Sequence, residues 1–138
     1  MTVLVAYDGS DPAREAVEYA LEEHSDDEVV LLRVVEVAGG ATDAGFELLR
    51  DQLDDRRDTV SSEIAEELDD LLDTTDVDVR LETTTGDPAN EIVGYADEHD
   101  IDHIIVGSYG RGGVSRVLLG SVAETVARRS AIPVTIVR

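Results

Sequence analysis

Apolar residues follow two spacings that alternate along the chain. Mostly apolar runs at Thr2–Tyr7, Val29–Val35 and Ile101–Gly107 predict buried strands of the kind found in a parallel sheet. Between them, apolar positions recur every three or four residues, the spacing of a helix with one face on a core. Ala13, Ala16, Val17, Ala20 and Leu21 mark a first helix ending near His24, with Asp11 as N-cap and Pro12 as first helical residue. A loop is expected over Glu36–Ala44. Phe46, Leu49, Leu53, Val60, Ile64, Leu68 and Leu71 mark a long second helix, interrupted only by Arg57, whose stem can lie along apolar surface. Val77, Val79 and Leu81 alternate with polar residues and predict a strand at a sheet edge. Gly86-Asp87-Pro88 turns into a third helix carrying Ala89, Ile92, Val93 and Ala96. A fourth helix spans Ser121–Ser130, with Ser121 and Glu124 spaced as a capping box. Ile132–Val137 is the last strand, with Pro133 near its start.

The order β-α-β-α-β-α-β-α-β belongs to the α/β class. It predicts a single domain over residues 1–138, an open five-stranded parallel sheet with helices on both faces, joined by right-handed crossovers. The chain contains no cysteine, which excludes disulfides, thiolate metal sites and thiol nucleophiles. No apolar run is long enough to cross a bilayer. The opening residues enter a strand without a basic leader region, so a cytoplasmic protein with no membrane partner is expected.

Charge sharpens this picture. Acids outnumber bases 32 to 11, giving a net charge of −21, and every base is arginine. An apolar content of 42% with clear periodicity argues for a folded protein with a hydrated acidic surface, not for disorder. Self-repulsion on this scale is relieved by salt, so a halophilic, high-salt cytoplasm is expected. Nucleic acid is not an expected partner, because it needs a basic footprint. The charge is also uneven. Residues 107–138 carry one acid, Glu124, and five arginines: Arg111, Arg116, Arg128, Arg129 and Arg138. That end is either an anion site or a segment buried in a subunit contact.

Ligands of open parallel sheets bind beyond the carboxyl ends of the strands. Two loops lie there: Ala6-Tyr7-Asp8-Gly9-Ser10 and Gly107-Ser108-Tyr109-Gly110-Arg111-Gly112-Gly113. Glycines let the backbone approach a ligand closely, and successive N–H groups form anion-binding hollows. The second loop leads to a helix start at Gly120-Ser121, where free N–H groups favour phosphate. It is a phosphate cradle or a flexible connection. A P-loop is excluded because the chain has no lysine. The dinucleotide fingerprint begins at Gly110-Arg111-Gly112 but has Ser115 at its last position.

Gly107-Ser108-Tyr109-Gly110, nine residues, then Gly120-Ser121 resembles the Gly-x2-Gly-x9-Gly-(Ser/Thr) pattern of ATP-binding universal stress proteins. Val3–Ser10, Leu31–Val34, Gly86-Asp87-Pro88, Ile104–Ser108 and Ser130–Val137 are similar to that family's segments, so the resemblance covers the whole chain. It implies strand order 3-2-1-4-5, with the site between strands one and four. Asp8 would contact the adenosine, beside Ala6, and Val34 would lie near the base. Val106, Gly107 and Gly110 would line the nucleotide, and Gly120, Ser121 and Val122 would hold its phosphates. Arg111 is added as a phosphate neighbour. The cofactor implied is ATP, with Mg2+ held mainly by phosphates and water. A homodimer through Ile132–Val137, acting as a nucleotide-dependent sensor or regulator with a further protein partner, is the function implied. The alternative is a slow ATPase or nucleotide transferase, for which Arg111 could supply charge but no residue stands out as a base.

Each residue also has a plainer reading. Asp8 would start a turn with Gly9. Ser121 would only cap its helix. Arg111 and Arg116 would be solvated or paired with acids. His24, His99 and His103 do not form a ligand set by spacing, so no metal held by protein ligands is expected. No residue is assigned as catalytic.

Overall fold

Five strands form one parallel sheet: β1 (Thr2–Ala6), β2 (Glu28–Val35), β3 (Asp78–Thr85), β4 (His103–Gly107) and β5 (Val134–Val137). Their order is β3-β2-β1-β4-β5, the order expected. The structure, a computed structural model, describes residues 1–35, 66–73, 75–108 and 120–137. The expected loop over Glu36–Ala44 and the expected long helix from Phe46 to Ile64 lie outside the described residues. Four helices are described: α1 (Asp11–Glu23), the short α2 (Asp69–Leu72), α3 (Pro88–Glu98) and α4 (Ser121–Arg129).

Side chains alternate across a strand, and here both faces are apolar, which is why the strands read as continuous runs. Val3, Val5, Val29, Leu31 and Ile105 face one way, packed with Ala13, Ala16, Val17 and Ala20 of α1 and with Leu68. Leu4, Val30, Leu32, Ile104 and Val106 face the other way, against Ala89, Ile92 and Ala96 of α3 and Ala123 and Val126 of α4. Burial of each large aliphatic contributes about 1.5–3 kcal/mol. Alanines on the helices let them approach the sheet closely. β3 is the edge that its alternation predicts, with Asp78 and Arg80 exposed.

The structure corrects several boundaries. α1 is capped by Ser10, not Asp11: Ser10 Oγ accepts the Ala13 N–H at 3.3 Å, which moves Pro12 to the second helical position. Asp87 does cap α3, accepting from Asn90 N–H at 3.1 Å. β5 starts at Val134, because the Ile132 amide bonds to Ser130 Oγ at 3.1 Å and Pro133 has no N–H to give. β4 starts at His103, although Ile101 is buried against the α3–α4 side of the core.

Candidate functional site

The chain runs outward from β1 through β2 to β3, then returns to the other side of β1 with β4 and β5. The crevice beyond the carboxyl ends of β1 and β4 is therefore the switch point where such sheets bind ligands. Leu4 pairs with Ile104, so two residues further along both strands Ala6 and Val106 share the α3–α4 side. Val34 of β2 and Val122 of α4 pack against the same cluster. Four expected site residues thus share one apolar floor.

Asp8 stands just past the end of β1. Its Oδ1 accepts hydrogen bonds from the Ser10 N–H at 2.9 Å and from the Ser10 hydroxyl. Gly9 supplies the positive φ of 85° that this turn requires. Asp8 thus starts a turn that also sets the cap of α1. Its Oδ2 has no partner among the described residues, so the turn leaves an acceptor in place at the crevice.

The end of β4 is fastened to the start of α4. The Ser108 N–H donates to the Val137 carbonyl at 2.9 Å, and the Ser108 carbonyl accepts the Gly120 N–H at 2.6 Å. Gly120 is the N-cap of α4 and has no side chain to offer. Its own amide is occupied by Ser108, so Gly120 shapes the helix start without donating to a ligand. The expected capping box is absent. Ser121 is the first helical residue, and Glu124 turns to Arg128 at 2.5 Å instead of back to Ser121. Among the described residues no side chain caps α4, which leaves the amides of its first turn available to an anion. Gly110 and Arg111, with Tyr109 and Arg116, lie outside the described residues.

Gly107 has a packing reason that its motif does not show. A Cβ there would come within 2.7 Å of the Pro12 carbonyl carbon and oxygen. Glycine at the end of β4 lets the start of α1 cross it. The structure also joins residues far apart in sequence. The buried Tyr7 donates its hydroxyl to Glu67 Oε2 at 2.6 Å. Arg14 donates to the Glu67 carbonyl at 3.0 Å and to Asp70 Oδ2 at 2.6 Å. Burial, then the Glu67 hydrogen bond, pushes the Tyr7 hydroxyl well above the usual tyrosine range. This network ties the α2 segment to the loop that carries Asp8. A lone Glu67 on an acidic stretch carries no sequence signal for it.

Among the described residues no group of three or more His, Asp or Glu could hold a metal ion. His103 opens β4, at the end of the sheet opposite the crevice, and meets His24 there. His99 stacks instead on Tyr95 at 3.9 Å.

Residues 1–138 match the Universal stress protein family. The chain belongs to this family. A universal stress protein of Methanocaldococcus jannaschii is 32% identical over 99% of this chain and 81% of its own length. Among solved structures, the universal stress protein UspA from Lactobacillus plantarum superposes with a TM-score of 0.83 at 26% identity, covering 100% of this chain and 97% of its own. A universal stress protein solved in complex with cAMP gives a TM-score of 0.71 at 26% identity, covering 100% of this chain and 96% of its own. The five parallel strands in order 3-2-1-4-5 are those of the universal stress protein fold. Among the described residues no helix is long and apolar enough to cross a membrane.

Proposed function

We propose that this universal stress protein binds an adenine nucleotide, ATP, in the crevice between β1 and β4. The observation that carries the reading is the start of α4, which no side chain caps among the described residues and which Gly120 and Ser108 fasten to the end of β4 at the switch point. Free amides at a helix N-terminus suit phosphate, and glycine at the cap leaves room for it. Ala6, Val34 and Val106 would form the apolar floor, Val34 near the base, with Asp8 offering Oδ2 to a ribose hydroxyl. Gly107, Gly110 and Gly120 would shape the phosphate path, Ser121 and Val122 would donate to phosphate, and Arg111 would neutralise charge. A structural neighbour solved with cAMP supports an adenine nucleotide. Mg2+ would arrive on the phosphates, since the described residues offer no carboxylate cluster to hold it.

The working form would be a cytoplasmic homodimer joined along Ile132–Val137. β5 is an edge strand, and the single proline of that segment, Pro133, precedes its ladder, so among the described residues no strand pairs with its outer edge. Nucleotide occupancy would change the surface beside α4, which a regulatory partner would read.

Calorimetric titration of ATP into protein held in molar KCl tests this. Saturable binding is expected, weakened about 10- to 100-fold by Asp8→Ala, the loss of one hydrogen bond to a charged group. A folded protein that takes up no ATP overturns the assignment. Assay of the same mixture for ADP separates a binding protein from a slow ATPase.

A further inference from the structure

The amino ends of the strands, opposite the crevice, hold a pair of histidines. His24, the C-cap of α1, and His103, the first residue of β4, meet edge to face with ring centroids 5.5 Å apart. Both residues are half-buried, the His24 side chain 15% exposed. His24 Nδ1 lies 2.9 Å from Asp27 Oδ2, and Asp27 Oδ1 lies 3.6 Å from the terminal ammonium of Met1. On its other side His103 Nε2 lies 2.6 Å from the Thr135 hydroxyl of β5. The neighbouring Asp102 is engaged by the Thr2 amide at 2.8 Å. His103 therefore meets His24 from the end of α1 and Thr135 from β5, and Asp27 and the Met1 ammonium lie beyond His24. Asp27 gives His24 a counter-charge. Among the described residues none does the same for His103.

β5 is four residues long and pairs with β4 alone within the sheet. Two residues beyond Thr135, the Val137 carbonyl holds the Ser108 amide, and the Ser108 carbonyl holds the Gly120 amide. One short edge strand thus connects the histidine pair to the start of α4.

We propose that His103, packed against His24, is an acid-sensitive latch on β5: its protonation loosens β5 from β4 and, through Val137 and Ser108, disturbs the start of α4. The effect on ligand binding rests on the nucleotide reading above; the loosening of the strand does not. The physical cause is a charge placed on a half-buried ring that faces the His24 ring at 5.5 Å, while the nearby carboxylate, Asp27, is engaged by His24. Burial first, then His24, holds the His103 ring below its ordinary value. The folded state therefore disfavours the proton. The contribution of His103 is complete above the ordinary histidine value of about 6.5, falls as the pH drops below it, and levels off beneath the folded value. Asp27, held below the usual carboxylate range by its hydrogen bond with His24, stays ionised through that window and keeps His24 in place.

Amide hydrogen exchange on the nucleotide-free protein in KCl, at about pH 7.5 and about pH 5.5, reads the latch directly. After correction for intrinsic rates, protection at Val134–Val137 and Ser108 is expected to fall about tenfold relative to α3. The drop should vanish in His103→Gln, which keeps a hydrogen-bonding group near Thr135 but cannot titrate. It should shrink in His24→Gln, where NMR titration should also show the His103 midpoint moving up. Equal protection of wild-type β5 at both pH values overturns the proposal, as does a drop that survives undiminished in His24→Gln. ATP titration at the same two pH values separates the two readings. Protein whose β5 loosens while ATP affinity holds refutes the link to α4. Protein that binds no ATP at either pH refutes the nucleotide reading, and the exchange data still decide the latch.

Discussion

Gly107 and Gly94 are the same residue in opposite surroundings. At Gly107 a methyl group would collide with the backbone of Pro12 at 2.7 Å, and a backbone cannot swing aside as a side chain does. At Gly94, inside α3, a Cβ would meet nothing within 4 Å. Gly107→Ala should therefore lower stability by about 1–3 kcal/mol. Gly94→Ala should raise it by about 0.5–1 kcal/mol, because alanine surrenders less backbone freedom in a helix. Thermal melts of both variants check the opposite signs, at roughly 3 °C per kcal/mol. Tyr7 supplies a second test at this scale. Removing its hydroxyl in Tyr7→Phe should cost about 1 kcal/mol through loss of the Glu67 bond. Its raised ionisation means the folded protein keeps the proton longer than the unfolded chain. Stability should then fall as pH rises past the ordinary tyrosine value of about 10. Melts at about pH 9 and about pH 11 should show a smaller alkaline loss in Tyr7→Phe than in the parent.

The helices differ in how they begin, and the proposed phosphate site rests on that difference. α1 starts under Ser10 and α3 under Asp87, each with a side-chain oxygen on an orphan amide. α4 starts at Gly120 with none among the described residues, at the sheet's switch point. A cap on α4 would occupy the amides that a phosphate needs. Gly120→Asp places a carboxylate there, and the φ of −64° and ψ of 154° suit any L-residue. Helix content by circular dichroism should be unchanged, because an N-cap aspartate is as good as or better than glycine. ATP affinity should fall at least about tenfold, because the carboxylate both occupies the amides and repels phosphate. A variant binding as well as the parent would show that phosphate does not sit at α4.

At the scale of the molecule, a net charge of −21 dominates behaviour in dilute buffer. Ion pairs among the described residues, such as Arg14–Asp70, Arg80–Glu28 and Arg128–Glu124, are exposed or half-exposed, and pairs of this kind add little. Compactness must therefore resist broad self-repulsion, which acts over about 10 Å at 0.1 M salt and about 3 Å at 1 M. The melting temperature should rise steadily as KCl is raised from about 0.1 M to about 2 M, most steeply at the low end. A melting temperature indifferent to salt would remove the basis for expecting a high-salt cytoplasm.

Periodicity by itself determined the order of the described elements and the two apolar faces, because a parallel sheet covered on both sides imposes a mostly apolar run on Val29–Val35 and helical spacing on Ala13–Ala20. It also placed β3 at an edge, since alternation records one wetter face. The glycine pattern and its spacing pointed to the crevice through the family resemblance. Tertiary structure decided what depends on residues meeting from distant positions. Only the folded chain sets Gly107 against Pro12, Tyr7 against Glu67 and His103 against His24 and Thr135. It also decided that Gly120 caps α4 and gives its amide to Ser108, because that bond needs the end of β4 and the start of α4 brought side by side. Local spacing records which face a residue turns inward; it holds no record of which distant group will be waiting there.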